Sequence, residues 1–139
     1  SVAPAAMIQT SLIEAGGGTN AVSGVEGTGN FIDVNIEQIV AWNPDVIWFP
    51  AYSDYTAEDL LNDPAWSGIN AIKNNQVFEF PSLLEPWDQP TAAVALGVDY
   101  ALYRLHPDLY SVDSLMKAVD EFYTLVYGKT FTKEQLGIK

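Results

Sequence analysis

The chain has 139 residues, a net charge of −12 and no cysteine. That length suits one domain with a real core, and no apolar run reaches the roughly 18 residues of a membrane span. The missing cysteines exclude disulfides, thiol nucleophiles and thiolate metal sites together.

The acids are unevenly spread. Residues 1–100 hold thirteen Asp and Glu against one base, Lys73, whereas residues 101–139 hold five of each sign. Such a surface repels phosphate backbones and anionic headgroups, so nucleic acid is excluded as a partner. The opening Ser1-Val2-Ala3-Pro4 has neither the basic start nor the apolar segment of a signal peptide.

Taken in chain order, residues 4–15 predict a helix, with Pro4 in its first turn and Ile8, Leu12 and Ile13 on one face. Gly16-Gly17-Gly18 stops it, and residues 19–30 read as a loop. Phe31–Val34 reads as a short strand. Asn35 opens a second helix with Gln38 as its capping partner and Ile36, Ile39 and Val40 inward. Asn43-Pro44 ends that helix, and Asp45–Phe49 follows as an apolar strand of the kind buried in a parallel sheet.

Pro50–Tyr55 is a loop, and Thr56 with Asp59 opens a short helix. Residues 64–75 are irregular, with a helical turn around Ala71. Gln76–Phe80 is a strand ended by Pro81, and Ser82–Gln89 is a loop. A long helix is predicted from Pro90 to about His106. Ser111 caps another whose stripe is Val112, Leu115, Met116, Val119, Phe122, Tyr123 and Val126, and Thr132 with Gln135 marks a tail helix. Strands alternating with helices predict a single α/β domain, a three-layer sandwich with a small, mostly parallel, Rossmann-like sheet. Two or three strands are few for such a sheet.

The chemistry-bearing residues are sparse. The lone histidine, His106, stands at a helix end and reads as a C-terminal cap complementing the helix dipole; without cysteine it makes no usual zinc site. No nucleophile elbow is present, and the glycines at 16–18, 24, 27 and 29 lack the Gly-Lys-Ser/Thr of a phosphate loop. No cofactor is implied, and an enzyme is not expected. Paired acids such as Glu85 and Asp88, with Asp54 in another loop, leave acid–base catalysis as a minor alternative.

The aromatics point further. In an open parallel sheet, ligands bind beyond the carboxyl ends of the strands. Two strands run into loops there, one carrying Tyr52 and Tyr55, the other Glu85 and Trp87. These four are the candidate ligand contacts, because aromatic rings offer large rigid surface to bulky ligands. The competing structural reading packs Trp87 over the helix that begins near Pro90.

The ordered set of segments resembles the class III periplasmic binding proteins of ABC importers. The resemblance lies in Ala15-Gly16-Gly17-Gly18-Thr19-Asn20, in Glu37 to Ile47 with its Asn43-Pro44-Asp45, in Glu85-Pro86-Trp87-Asp88-Gln89-Pro90 with Leu96-Gly97, in His106 to Tyr110 and in Asp120 to Tyr123. It implies the carboxy-terminal lobe of a two-lobed protein, the amino-terminal lobe and stiff connecting helix lying elsewhere. It implies capture of an iron–siderophore, haem or corrinoid (vitamin B12-type) ligand and delivery to the ABC transporter permease. A metal or oxyanion carrier of the same fold is the alternative. It further implies a surface acid that docks on the permease, for which Asp88 is the positional candidate, and a periplasmic or extracellular location, tethered as a lipoprotein.

Overall fold

The computed structural model describes residues 1–22, 24–27 and 30–139. Seven helices and two strands are present among them: α1 (Ile8–Ala15), α2 (Ile36–Trp42), β1 (Ile47–Phe49), α3 (Ala57–Asn62), α4 (Asn70–Lys73), β2 (Val77–Glu79), α5 (Val94–Leu105), α6 (Val112–Tyr127) and α7 (Lys133–Leu136). A 3-10 turn at Pro64–Trp66 precedes α4.

β1 and β2 pair in parallel, with Ile47 beside Val77, Trp48 beside Phe78 and Phe49 beside Glu79. Because side chains alternate along a strand, each face of the sheet carries its own cluster. On one face Trp48 and Phe80 join Leu12 of α1, Leu96 and Tyr100 of α5, and Leu115, Val119 and Tyr123 of α6. On the other, Ile47, Phe49 and Val77 meet Leu60 of α3 and Ile72 of α4. Helices therefore cover both faces, which is the expected three-layer α/β arrangement with few strands.

The first face is built from rings. Phe80 lies 5.6 Å from Trp48 and 5.7 Å from Tyr100, centroid to centroid. The Arg104 guanidinium sits 4.1 Å over Phe78 and 4.8 Å over Tyr103, a cation–π stack that covers the sheet where α5 crosses it. Its Nε donates to the Tyr100 hydroxyl at 3.2 Å, and that hydroxyl donates to the Glu79 carbonyl at 3.0 Å.

Local signals fix most boundaries. Asn35 and Thr56 each form a reciprocal capping box, with Gln38 and Asp59, satisfying orphan N–H groups of the first turn. Asn43 turns left-handed at φ 45° and ends α2. Its side chain then accepts from the Asn70 N–H at 2.9 Å, Asn70 Nδ2 donates to Asp45 Oδ1 at 2.9 Å, and the Ala71 N–H donates to the Pro44 carbonyl. The Asn-Pro-Asp triplet thus closes one helix and anchors the start of α4, the element that leads into β2.

Several elements differ from expectation. α1 begins at Ile8 because the Pro4 carbonyl is taken by the Met7 N–H and the Thr10 hydroxyl, which holds residues 4–7 in a turn. Among the described residues, Phe31–Val34 makes one antiparallel bridge, Ile32 with Val2. α5 starts at Val94, since Gln89–Ala93 coil into turns closed by Thr91 on Gln89 and on Pro86. No residue of α2 is fully buried and Val40 is exposed; that helix packs mainly on the 3-10 turn. In α6 the buried line is Leu115, Val119 and Tyr123, while Val126 is exposed.

Candidate functional site

Parallel strands send their following loops to the same edge of the sheet. The loop after β1 begins with Pro50 and buried Ala51. Tyr52 then takes a left-handed φ of 65°, a conformation uncommon for a bulky residue. Its ring is left 79 % exposed, and Tyr55 is 64 % exposed. The Tyr55 N–H donates to Ser53 Oγ at 3.2 Å, a short side-chain turn of the kind Ser favours. The Thr56–Asp59 box follows at once, and its backbone and hydroxyl donors hold the Asp59 carboxyl below the usual range.

The loop after β2 folds on itself. The Trp87 N–H donates to the Pro81 carbonyl at 3.1 Å, so residues 82–86 form the outward tip. Leu83 and Leu84 are exposed there. Glu85 is half-buried, and its Oε1 accepts from the Tyr127 hydroxyl at 3.4 Å.

Trp87 turns inward and is wholly buried. Its ring stands edge-on to Tyr100 at 6.3 Å and 80°, and its Nε1–H donates to the Tyr123 hydroxyl at 3.0 Å. Its carbonyl fills the space a Cβ of Gly97 would need, 2.1 Å away. The expectation that Trp87 contacts ligand is corrected by this packing: the indole is core, and both its polar and apolar surfaces are already partnered.

Asp88 is also wholly buried. Its Oδ2 accepts from the Ala51 N–H at 3.0 Å, and Gln9 Nε2 of α1 donates to the Asp88 carbonyl at 3.0 Å. A carboxylate so enclosed cannot face a permease, so the assignment of Asp88 as a surface docking acid is corrected too. Instead it ties the two rim loops to each other and to α1. Burial pushes its carboxyl up, against the lowering effect of the Ala51 N–H and the Gln9 amide.

Of the four predicted ligand contacts, the structure leaves Tyr52 and Tyr55 free on the rim, holds Glu85 half-covered against Tyr127, and encloses Trp87. The sequence reading did not single out Gln9, the Ala51 N–H or the exposed pair Leu83-Leu84. Gln9 and Thr10 are buried beside Leu12 in α1, while the helix's other polar residues, Ser11 and Glu14, are exposed; a helix half polar in sequence gives no signal of which polar side chains turn inward. A cavity of about 370 Å³, lined by Met7, Ile8, Gln9, Asn30, Phe31 and Gln89 among others, opens beside that junction and includes neither rim tyrosine. His106 follows α5 as its cap, but its Nε2 lies 3.2 Å from the Gly17 carbonyl, so it ties α5 to the end of α1. Among the described residues no group of three His, Asp or Glu side chains is placed to hold a metal ion.

Comparison with known proteins bears on the same elements. The family profile described as "Periplasmic binding protein" matches residues 8–84. The molybdate-binding protein MolA of Haemophilus influenzae is 30% identical over 102 residues, which is 73% of this chain and 29% of that protein. The structure of MolA bound to molybdate superposes with a TM-score of 0.74 at 26% identity, covering 91% of this chain and 38% of that one. Helicobacter pylori CeuE in a nickel–histidine complex gives 0.71 at 26% identity, over 91% and 39%. A periplasmic solute binding protein from Veillonella parvula gives 0.81 at 24% identity, over 95% and 41%, which speaks for the fold alone. The chain spans 29% of the curated relative and about two fifths of these solved structures. With its matched segment and its parallel α/β layers, the chain belongs to the class III periplasmic binding proteins.

Proposed function

We propose that this chain forms the carboxy-terminal lobe of the substrate-binding component of an ABC import system, and that its loop rim holds a metal–organic complex for delivery to a permease. The observation that carries this reading is the free pair Tyr52 and Tyr55 on the loop after β1, on the edge where the loop after β2 also emerges. Exposed aromatic surface on a rim held by buried bonds suits a bulky ligand, because little ordering remains to oppose binding. Relatives of this family bind and carry substrates and do not transform them.

The charge balance favours a ligand that contains a cation. Residues 1–100 include the whole rim and a single base, Lys73, while Asp54 and Glu85 lie in the rim loops. A free oxyanion would meet carboxylates there without a balancing cation. A complex of iron with a siderophore, or a comparable haem or corrinoid ligand, meets rings and acids that suit it. The oxyanion reading has one observation in its favour, the likeness to MolA, which is named for molybdate binding. The periplasmic location follows the family; the lipoprotein tether, the amino-terminal lobe and the permease contact belong to this proposal, and the docking acid is some residue other than Asp88.

The experiment titrates the full-length, two-lobed protein with three probes: an Fe(III)–siderophore, Ni(II)–histidine and molybdate. Binding is followed by calorimetry, with Tyr52→Ala/Tyr55→Ala as the variant. The expected result is capture of a metal complex, weakened on the order of tenfold, ~1.4 kcal/mol, in the variant. Tight binding of molybdate alone establishes the second reading, and affinities that the variant leaves unchanged for every probe overturn the rim assignment.

A further inference from the structure

We propose that Asp88 is a proton-linked strut: a carboxyl group that, when protonated, locks α1 and the two rim loops together, and whose ionisation loosens that junction. The inference is independent of what the rim binds. It begins from two orphaned oxygens. Asp88 Oδ1 and Gln9 Oε1 are both buried and have no hydrogen-bond partner among the described residues. They belong to side chains already in contact, since Gln9 Nε2 lies 3.0 Å from the Asp88 carbonyl and 3.5 Å from Oδ2.

An ionised carboxylate has only acceptors to offer. In that state Oδ2 is served by the Ala51 N–H at 3.0 Å, but Oδ1 stays unserved in a wholly enclosed place, and so does the nearby amide oxygen of Gln9. A proton on Oδ1 removes the charge and converts one of the two orphaned acceptors into a donor, which can then serve a buried oxygen such as Gln9 Oε1. The Ala51 bond to Oδ2 survives the change. Thus one proton resolves a charge without a counter-charge and a surplus of acceptors at once, each of which is costly to bury.

Among the described residues no counter-charge faces the group, only neutral donors. From α1 the group is faced by the Gln9 amide, from the loop after β1 by the Ala51 N–H, and from its own loop by the Gln89 side chain and its own N–H. All are neutral, and among the described residues no ion pair includes Asp88. Burial is the dominant influence and raises the carboxyl above 3.8, with those donors lowering it. A carboxyl raised in the folded chain contributes stability that is complete below its unfolded value and is lost as pH rises through the folded one. The junction it holds carries Tyr52 one residue beyond Ala51 and Leu83 on the tip of the other loop, so its loosening reaches the rim.

The test uses the full-length protein with carbon-13 carboxyl-labelled aspartate. The Asp88 carboxyl resonance and the Ala51 amide proton are followed against pH. The expected result is an Asp88 midpoint above 3.8, with the Ala51 amide following the same curve. A midpoint at or below 3.8, as for a well-solvated carboxylate, overturns the proposal. Melting temperatures of the wild type and of Asp88→Asn, which keeps the acceptor for Ala51 and supplies a neutral donor, are then compared across pH. The wild type should lose ground to the variant as pH rises, and parallel profiles would overturn the proton's role.

Discussion

Trp87 donates its indole N–H to the Tyr123 hydroxyl at 3.0 Å, and this bond joins the loop after β2 to the middle of α6. Tyr123 is itself enclosed, with Phe131 at 5.0 Å, Phe122 at 5.1 Å and Tyr127 stacked at 5.7 Å. The loop that carries half of the rim is thereby fastened from beneath, through a ring in the core, while its tip stays outside.

Removing that fastening should cost fold before function. Trp87→Ala deletes a wholly buried indole and is expected to cost about 3–5 kcal/mol. Trp87→Phe retains most of the apolar volume but leaves the Tyr123 oxygen without its donor, at a cost of about 1–3 kcal/mol. Urea unfolding followed by circular dichroism measures both. A small loss in Trp87→Ala would mean that the indole is not a core element.

Gly97 makes a sharper case. A Cβ there would lie 2.1 Å from the Trp87 carbonyl oxygen and 3.3 Å from a Leu12 methyl. The first is backbone and cannot swing aside. Gly97→Ala gains helix propensity inside α5, at most about 1 kcal/mol, but must push the loop off the helix. A net loss of about 1–3 kcal/mol is expected. Gly68→Ala, where nothing lies within 4 Å, serves as the control and should stay within about 0.5 kcal/mol of wild type. Thermal melts of the two variants side by side decide it.

The fold was legible where local chemistry and burial agree. Asn35 with Gln38 and Thr56 with Asp59 announced helix starts that the structure keeps, and the run into Phe49 announced a parallel strand, which the structure keeps over Ile47–Phe49 with Phe49 alone fully buried. The site was less legible. A tryptophan flanked by proline and acid in a loop satisfies the pattern of a ligand contact and that of a core anchor equally. Only the tertiary path, with the Trp87 N–H returning to the Pro81 carbonyl, turns the ring inward. Asp88 misleads for a related reason: an acid is expected outside, and its acceptor role depends on the Ala51 N–H, 37 residues away. Pairings of that kind leave no periodic trace in a sequence.

The rim tyrosines should behave in the opposite way to Trp87. Tyr52→Ala and Tyr55→Ala remove exposed rings, and stability should move by no more than about 0.5 kcal/mol. Tyr52 adds a conformational signature, because its φ of 65° suits glycine. Tyr52→Gly should fold as well as wild type, while β-branched Tyr52→Val should be destabilised by about 1–2 kcal/mol. Chemical denaturation of the three Tyr52 variants separates backbone from side-chain effects, and equal stability of the Gly and Val forms would remove the left-handed turn from the account.

Alkaline titration tests the interior of the same assembly. Burial pushes the Tyr123 phenol up to about 12, with the Trp87 N–H lowering it and Glu85 raising it. Tyr110 is likewise pushed up to about 12, first by burial and then by the Asp99 carboxylate that accepts its proton at 2.9 Å. Tyr100 is raised by burial against the pull of Arg104. In the unfolded chain each returns toward 10.0. A group whose folded value is raised contributes stability that is complete below the unfolded value and lost as pH climbs through the folded one. Stability should therefore fall between pH 10 and about 12, and phenolate absorbance should show these three rings ionising late, together with loss of the near-ultraviolet circular dichroism of the core. In Tyr123→Phe the alkaline fall should be shallower, although the variant starts lower because the Trp87 N–H is left without its acceptor. A single phenolate transition centred near 10.0 for every tyrosine, while the fold persists, would show that Tyr123 is open to solvent and that the Trp87 anchor is not enclosed.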